Sequence, residues 1–292
     1  MTRMGEWPRF CELPDELSDP ATAAAAILPV PYDRTSTWRK GADQGPLAIL
    51  AASHHVEWYD LATARETCRL GIATLDPVLC DEGPEQLADM VGERVAELLD
   101  RGVLPVVLGG DHAVSIGAIR AAARQFAGLS VLQVDAHADT RESYAGSRFN
   151  HACVMARVRE WCPVVQVGIR AVDVDEIPGL DRGRVVWAHQ INGPAAEPGW
   201  VGRVVEHLAE HVYVTIDLDA FDPAFVPATG TPEPGGLDWY QVTGLLEQVA
   251  RARRVVGFDV VELLPTPGQW ASEFLAAKLV YRFLSSILAS DR

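Results

Sequence analysis

A chain of 292 residues, 48% of them hydrophobic, carries enough apolar material for a sizeable core. With no compositional break it reads as one large domain, 1–292, whose first twenty residues form an N-terminal extension. The formal net charge of −15 excludes the basic footprint of a nucleic-acid binder and reads mainly as solubility.

In chain order, the first predicted strand is 25–30 and the second 70–75. A helix follows at 84–101, stopped by Gly102, then a strand at 103–108. The next helix, 114–126, stops near Gly128 and leads into a strand at 129–135. Further strands are expected at 164–168, 184–188, 212–217 and 254–259, and further helices at 199–210, 237–251 and 272–288. Most of the strands are continuous apolar runs, the pattern of a strand buried on both faces of a parallel sheet. Strands alternating with helices give an α/β fold, in which ligands bind at the carboxyl ends of the strands.

The longest apolar run outside these helices, 21–30, contains Thr22 and Pro29. It is too short to cross a membrane and lacks the frame of a signal peptide. Five dispersed cysteines (Cys11, Cys68, Cys80, Cys153 and Cys162) include no Cys-x-x-Cys pair and read as reduced thiols. A cytoplasmic location is expected, with neither a membrane nor a nucleic acid as partner.

The polar motifs fall at strand ends. One strand runs into Gly109-Gly110-Asp111-His112, another into Asp135-Ala136-His137-Ala138-Asp139, a third into Asp217-Leu218-Asp219, and the last into Glu262. In extended chain alternate residues share one face, so Asp135, His137 and Asp139 converge while the alanines point away; Asp217 and Asp219 repeat the pattern. A lone Asp at a strand end is more often a helix cap and a lone His a satisfied polar group. Four carboxylates left unpaired at one rim, however, are costly, which favours metal ligation. Without a cysteine in the set, two imidazoles and four carboxylates suit Mn²⁺, with Co, Ni, Fe or Zn as substitutes. Four aspartate charges balance two divalent ions, which about 3.5–4 Å apart can share an activated water.

These motifs, with Asp222-Pro223, Thr229-Gly230-Thr231-Pro232 and Gly235-Gly236, closely resemble the signatures of the ureohydrolase (arginase/agmatinase) family, from about Val30 to the C-terminal helix. The resemblance implies a three-layer α/β/α fold with a central, mostly parallel eight-stranded sheet, and two Mn²⁺ per chain. It assigns one ion to His112, Asp135, Asp139 and Asp217 and the other to Asp135, His137, Asp217 and Asp219. It makes His151 a proton relay, Glu262 the partner of the substrate guanidinium, and Asp139 a ligand that also aims the hydroxide. It further implies a homotrimer or homohexamer.

The stretch 139–146 followed by Asn150-His151-Ala152-Cys153 looks more like agmatinases than arginases. That implies a small cationic guanidino substrate, agmatine, cleaved to putrescine and urea by a metal-bridging hydroxide, a step of polyamine biosynthesis. Arg141 in place of an expected asparagine, the segment 263–268 after Glu262 and the loop 36–39 depart from the usual pattern. They leave guanidinobutyrate, arginine or a formimino compound as alternatives. A mononuclear-metal amide deacetylase or a non-catalytic binding protein stands further off. Cys153 reads as a packed thiol, Asp111 and Asp222 as supporting or turn-forming groups, Trp161, Trp187 and Trp200 as core or interface residues, and His54-His55 as a helix cap.

Overall fold

The computed structural model describes residues 7–194 and 196–290. Residues 1–6 of the expected N-terminal extension lie outside the described residues, while Phe10, Cys11 and Leu13 of its remainder are buried in the core.

In chain order the strands are β1 (Ala25–Val30), β2 (Tyr59–Asp60), β3 (Arg65–Glu66), β4 (Ile72–Thr74), β5 (Leu104–Gly109), β6 (Ser130–Val134), β7 (Val164–Ile169), β8 (Val185–Trp187), β9 (His211–Asp217) and β10 (Arg254–Val261). The helices are α1 (Asp15–Ser18), α2 (Gly45–Ser53), α3 (Pro84–Asp100), α4 (Ser115–Gln125), α5 (Val154–Val158), α6 (Ala188–Asn192), α7 (Trp200–His207), α8 (Trp239–Ala252) and α9 (Trp270–Ser290). Strands β2 and β3 form a separate antiparallel pair. The other eight make one sheet in the order β4-β1-β5-β10-β9-β6-β7-β8, and every pairing in it is parallel.

Alternate strand residues feed two cores. Ile27, Val106, Leu132, Val214 and Phe258 pack with α2, α7, α8 and α9 on one face. Leu28, Val107, Val131, Tyr213 and Val256 pack with α3, α4 and α5 on the other. This double cover is why the strands read as unbroken apolar runs. It also sets the site, because the four motif-bearing strands β5, β10, β9 and β6 are consecutive neighbours in the sheet.

Differences from the sequence reading have local causes. The expected strand 70–75 shortens because Thr67–Leu70 form a 3-10 turn and Gly71 adopts φ +85°, where its hydrogen sits against the Ala23 backbone. Helix α2 is an addition to the expected elements, since the apolar stretch from Pro46 to Ala52 shows no polar face. His54 follows its C-terminus, with its N–H bonded to the Ala51 carbonyl at 3.4 Å.

Helices α3 and α4 touch where Gly117 meets Ala88. A Cβ at Gly117 would overlap the Ala88 carbonyl oxygen, whereas one at Gly244 in α8 meets nothing within 4 Å. Gly117→Ala is therefore expected to lower the melting temperature, by the roughly 1–3 kcal/mol typical of overpacking. Gly244→Ala should leave it unchanged or slightly raised. Equal melts for both variants would contradict the close approach.

Candidate metal and active site

Each strand end delivers one part of the site. Beyond β5, Asp111 caps the 3-10 turn His112–Val114 by accepting the Ala113 N–H at 3.1 Å, which turns His112 back over the sheet. Beyond β6, the Asp135 carboxylate accepts the His137 N–H at 2.6 Å. At the end of β9, Asp217 accepts the Asp219 N–H at 2.9 Å. Glu262 follows β10 with φ +64°, and Asp139 has φ +53°. Non-glycine residues in this left-handed region are strained and cluster at functional sites.

The structure brings all six expected ligands together. His112 Nδ1 lies 2.9 Å from Asp139 Oδ2, 3.3 Å from Asp135 Oδ2 and 3.5 Å from Asp217 Oδ2. His137 Nδ1 lies 2.9 Å from Asp219 Oδ2 and 3.8 Å from Asp135 Oδ1. Two groups able to hold a cation result, His112 with Asp135 and Asp139, and Asp135 with His137 and Asp219. Asp135 belongs to both, whereas Asp217, expected in both, belongs to neither and stands 3.5 Å from His112 Nδ1.

The hydrogen-bond pattern behind His112 tests whether a metal fits. Its Nε2 is 2.8 Å from the Thr215 hydroxyl, which lies 2.6 Å from the buried Asp259 carboxylate. Thr215 has one proton and donates it to Asp259, so His112 Nε2 donates to Thr215 and carries the ring proton. In the neutral ring Nδ1 is then a lone pair without a hydrogen-bond partner, facing three carboxylate oxygens; burial works against the imidazolium, but Asp135 and Asp139 raise the His112 pKa well above its usual value. Carboxylates around a buried nitrogen call for positive charge between them, a ring proton in the metal-free site or a metal ion in its place, and the second is the geometry of a metal-ligating histidine fixed by its other nitrogen.

The electrostatics say the same. Burial, with the charges of Asp139 and Asp219, pushes the Asp135 carboxyl up to about 7. Burial, with Asp219 and Asp135, raises Asp217 well above the usual range. Burial works against the His137 imidazolium, yet Asp219 and Asp135 lift it to about 10, and the same contact holds Asp219 down at about 2 despite its burial. These are carboxylates short of positive charge.

The groups open into a cavity of about 370 Å³ whose wall includes His151, Glu262, Trp38, Arg141 and Glu233. Glu262 Oε1 accepts the His112 N–H at 2.8 Å. Its carboxyl is raised well above the usual range by burial and by Asp111. His151 Nδ1 lies 3.2 Å from the Thr35 hydroxyl, and burial lowers its pKa. Arg141 is 3.0 Å from Asp173 and 3.8 Å from Glu176, and it lies over the Tyr144 ring. Cys153 is fully buried and its thiol is pushed up to about 12 by burial, which suits packing and not nucleophilic attack. Asp222 accepts the N–H groups of Ala224, Gly235 and Gly236 and so forms a turn.

Sequence reasoning misses the groups that support these. Gln133 donates to Asp135 at 2.7 Å and receives the Gln166 amide at 2.6 Å. Arg170 donates to the carbonyls of Gly168, Asp219, Ala220, Phe221 and Glu233, binding the loop after β9 to that after β7. A polar residue inside an apolar strand, as Gln133 and Gln166 are, is the available signal.

A family model described as the Arginase family matches residues 23–285. The N(1)-aminopropylagmatine ureohydrolase of Synechocystis sp. is 38% identical over 275 residues, covering 90% of this chain and 89% of the relative. That of Thermus thermophilus is 40% identical over 263 residues, covering 89% and 88%. The crystal structure of agmatine ureohydrolase of Thermoplasma volcanium superposes with a TM-score of 0.86 at 30% identity, covering 98% of this chain and 96% of that one.

Proposed function

Because this chain belongs to the arginase family, we propose that it removes the guanidino group of an agmatine-type amine as urea, with two Mn²⁺ held by His112, Asp135, His137, Asp139, Asp217 and Asp219. It is a hydrolase acting on C–N bonds of linear amidines. The observation that carries the metal reading is the buried cluster in which His112 Nδ1 faces three carboxylates and Asp135 joins two groups able to hold a cation. Bound there, divalent ions would supply a water of lowered pKa as nucleophile and offset the carboxylate charge.

The remaining steps belong to side chains. Glu262 Oε1 is occupied by the His112 N–H, which leaves Oε2 to accept from the planar guanidinium. A cation there offsets the effect of the burial that raises the Glu262 carboxyl, so substrate binding and ionisation of Glu262 support each other. Asp139 aims the attacking water. His151, held neutral at pH 7 by its lowered pKa, receives a proton and passes it to the departing amine nitrogen.

The cavity wall favours an amine tail over an amino-acid tail. Arg141 is already engaged by Asp173 and Glu176, so of the two arginines on the cavity wall only Arg39, which lies over the Trp38 ring, is left to meet a substrate carboxylate. The Glu233 carboxylate makes no ion pair or hydrogen bond among the described residues and lines the cavity. Agmatine, giving putrescine, fits this charge. N(1)-aminopropylagmatine is a second reading, favoured by the relatives of that name at 38% and 40% identity. The reading also carries a homotrimer or homohexamer in the cytoplasm, with the oligomer checked by light scattering.

Urea release from manganese-loaded protein, measured separately with agmatine, N(1)-aminopropylagmatine, guanidinobutyrate and arginine, tests this. The two amine-tailed compounds are expected to exceed the two carboxylate-tailed ones in kcat/KM by about 10²-fold, the few kcal/mol of a charge left unpaired in a site. Preference for arginine would overturn the reading.

A further inference from the structure

Behind His151 lies a chain of polar groups that the reaction does not itself use. Asp111 is fully buried and Thr35 is 8% exposed. Asp111 Oδ2 accepts the Thr35 N–H at 2.8 Å and the Thr35 hydroxyl at 2.9 Å, and Oδ1 accepts the Ala113 N–H at 3.1 Å. All three contacts use this carboxyl as an acceptor. The Thr35 hydroxyl also accepts the His151 backbone N–H at 3.0 Å and lies 3.2 Å from His151 Nδ1.

Counting protons at Thr35 Oγ1 leaves one arrangement. The single hydroxyl proton goes to Asp111, and both lone pairs are then filled by His151, one by its backbone N–H and one by its ring. Nδ1 must therefore be the protonated ring nitrogen. In the neutral imidazole the lone pair then sits on Nε2, which makes no hydrogen bond among the described residues and is left for the cavity that His151 lines. The Tyr144 ring stands edge-on to the imidazole at 6.1 Å between centroids and flanks it from a second side.

We propose that Thr35 and Asp111 are positioning residues that fix the His151 tautomer and orientation, so that Nε2 takes a proton from the attacking water and returns it to the leaving amine nitrogen. Nδ1–H stays in place throughout, and the imidazolium formed in between has both nitrogens protonated. An oriented base backed by a third group follows the general logic of activated sites, here with a threonine hydroxyl between imidazole and carboxylate. The inference rests on the proposed proton-carrying role of His151. It gives the N-terminal loop carrying Thr35 a part in the chemistry.

The test is a double-mutant cycle on the full-length, manganese-loaded enzyme, with bound metal counted in each variant. Thr35→Val keeps the shape and removes the hydroxyl. It is expected to lower kcat about 10-fold or more, within the range of general acid–base contributions, with KM and metal content unchanged. Thr35→Ser, which restores the hydroxyl, should stay within about 2-fold of the unmodified enzyme. In a His151→Ala background, Thr35→Val should change kcat by less than about 2-fold, because groups acting as a unit are not additive.

Undiminished kcat in Thr35→Val beside a depressed His151→Ala would overturn the inference alone. So would a full Thr35→Val effect in the His151→Ala background, a loss of metal, or failure of serine to restore activity. Undiminished kcat in His151→Ala would sink the reading of His151 and this inference with it.

Discussion

Asp135→Asn is expected to reduce urea release by at least about 10³-fold, the roughly 4 kcal/mol of transition-state stabilisation that a bound metal's charge supplies. Of the six proposed ligands, Asp135 alone belongs to both cation-binding groups, so one neutral amide in its place weakens both. The substitution is isosteric and its surroundings are polar. Gln133 donates to one oxygen at 2.7 Å and the His137 N–H to the other at 2.6 Å. An asparagine can satisfy only one of those donors, so some loss of local order accompanies the loss of charge. The fold should nevertheless persist, because the β6 side chains on either side pack into separate hydrophobic layers. The measurement is metal per chain by elemental analysis alongside urea release and a thermal melt. A folded Asp135→Asn variant that retains both ions and full turnover contradicts the shared-ligand reading.

How much of this is legible in the sequence differs between strand and sheet. The doubly buried strands are visible because a continuous apolar run such as 103–108, short and closed by glycines, suits a strand covered on both sides and little else. The convergence of Asp135, His137 and Asp139 follows from extended-chain geometry alone. That β5, β10, β9 and β6 are consecutive neighbours is not visible, because pairing order is a non-local property and Glu262 reaches His112 across 150 positions. Thr35 escapes notice for the same reason. A threonine in a loop carries no signal until the fold sets it against Asp111, 76 positions away. Helix α2 is hidden because its exposed positions, Leu47 and Ala51, are as apolar as the buried Ile49 and Leu50, which leaves no polar stripe to give it a period. The family resemblance supplies roles for His151 and Glu262 that their local sequence does not announce.

Removing the metal is expected to make the protein less stable, and increasingly so as pH rises from 6 to 8. In the metal-free chain the Asp135 carboxyl is raised from 3.8 to about 7 by burial and by Asp139 and Asp219. A group raised in the folded state contributes stability that is full below its unfolded pKa and lost as pH climbs through the folded value. For Asp135 that window runs from about 4 to about 7, so its tail falls between pH 6 and 7. For His137 burial is outweighed by Asp219 and Asp135, and the window runs from 6.5 to about 10. It therefore also loses stability across the interval. Asp219, held near 2, is the opposite case. Its contribution is present above 3.8 and lost only in acid, so it does not change between 6 and 8. His151, whose pKa burial lowers, works the other way as pH rises through about 6.5, but His112 and Asp217, both raised well above their usual values, lose stability with Asp135 and His137, so the net slope is downward. Divalent cations displace the protons that Asp135 and His137 retain, and binding to the folded state alone raises the melting temperature. The rise produced by Mn²⁺ over chelator-treated protein, followed by calorimetry, should therefore be larger at pH 8 than at pH 6. An equal or smaller rise at pH 8 would mean that the ions do not bind at these carboxylates and imidazoles.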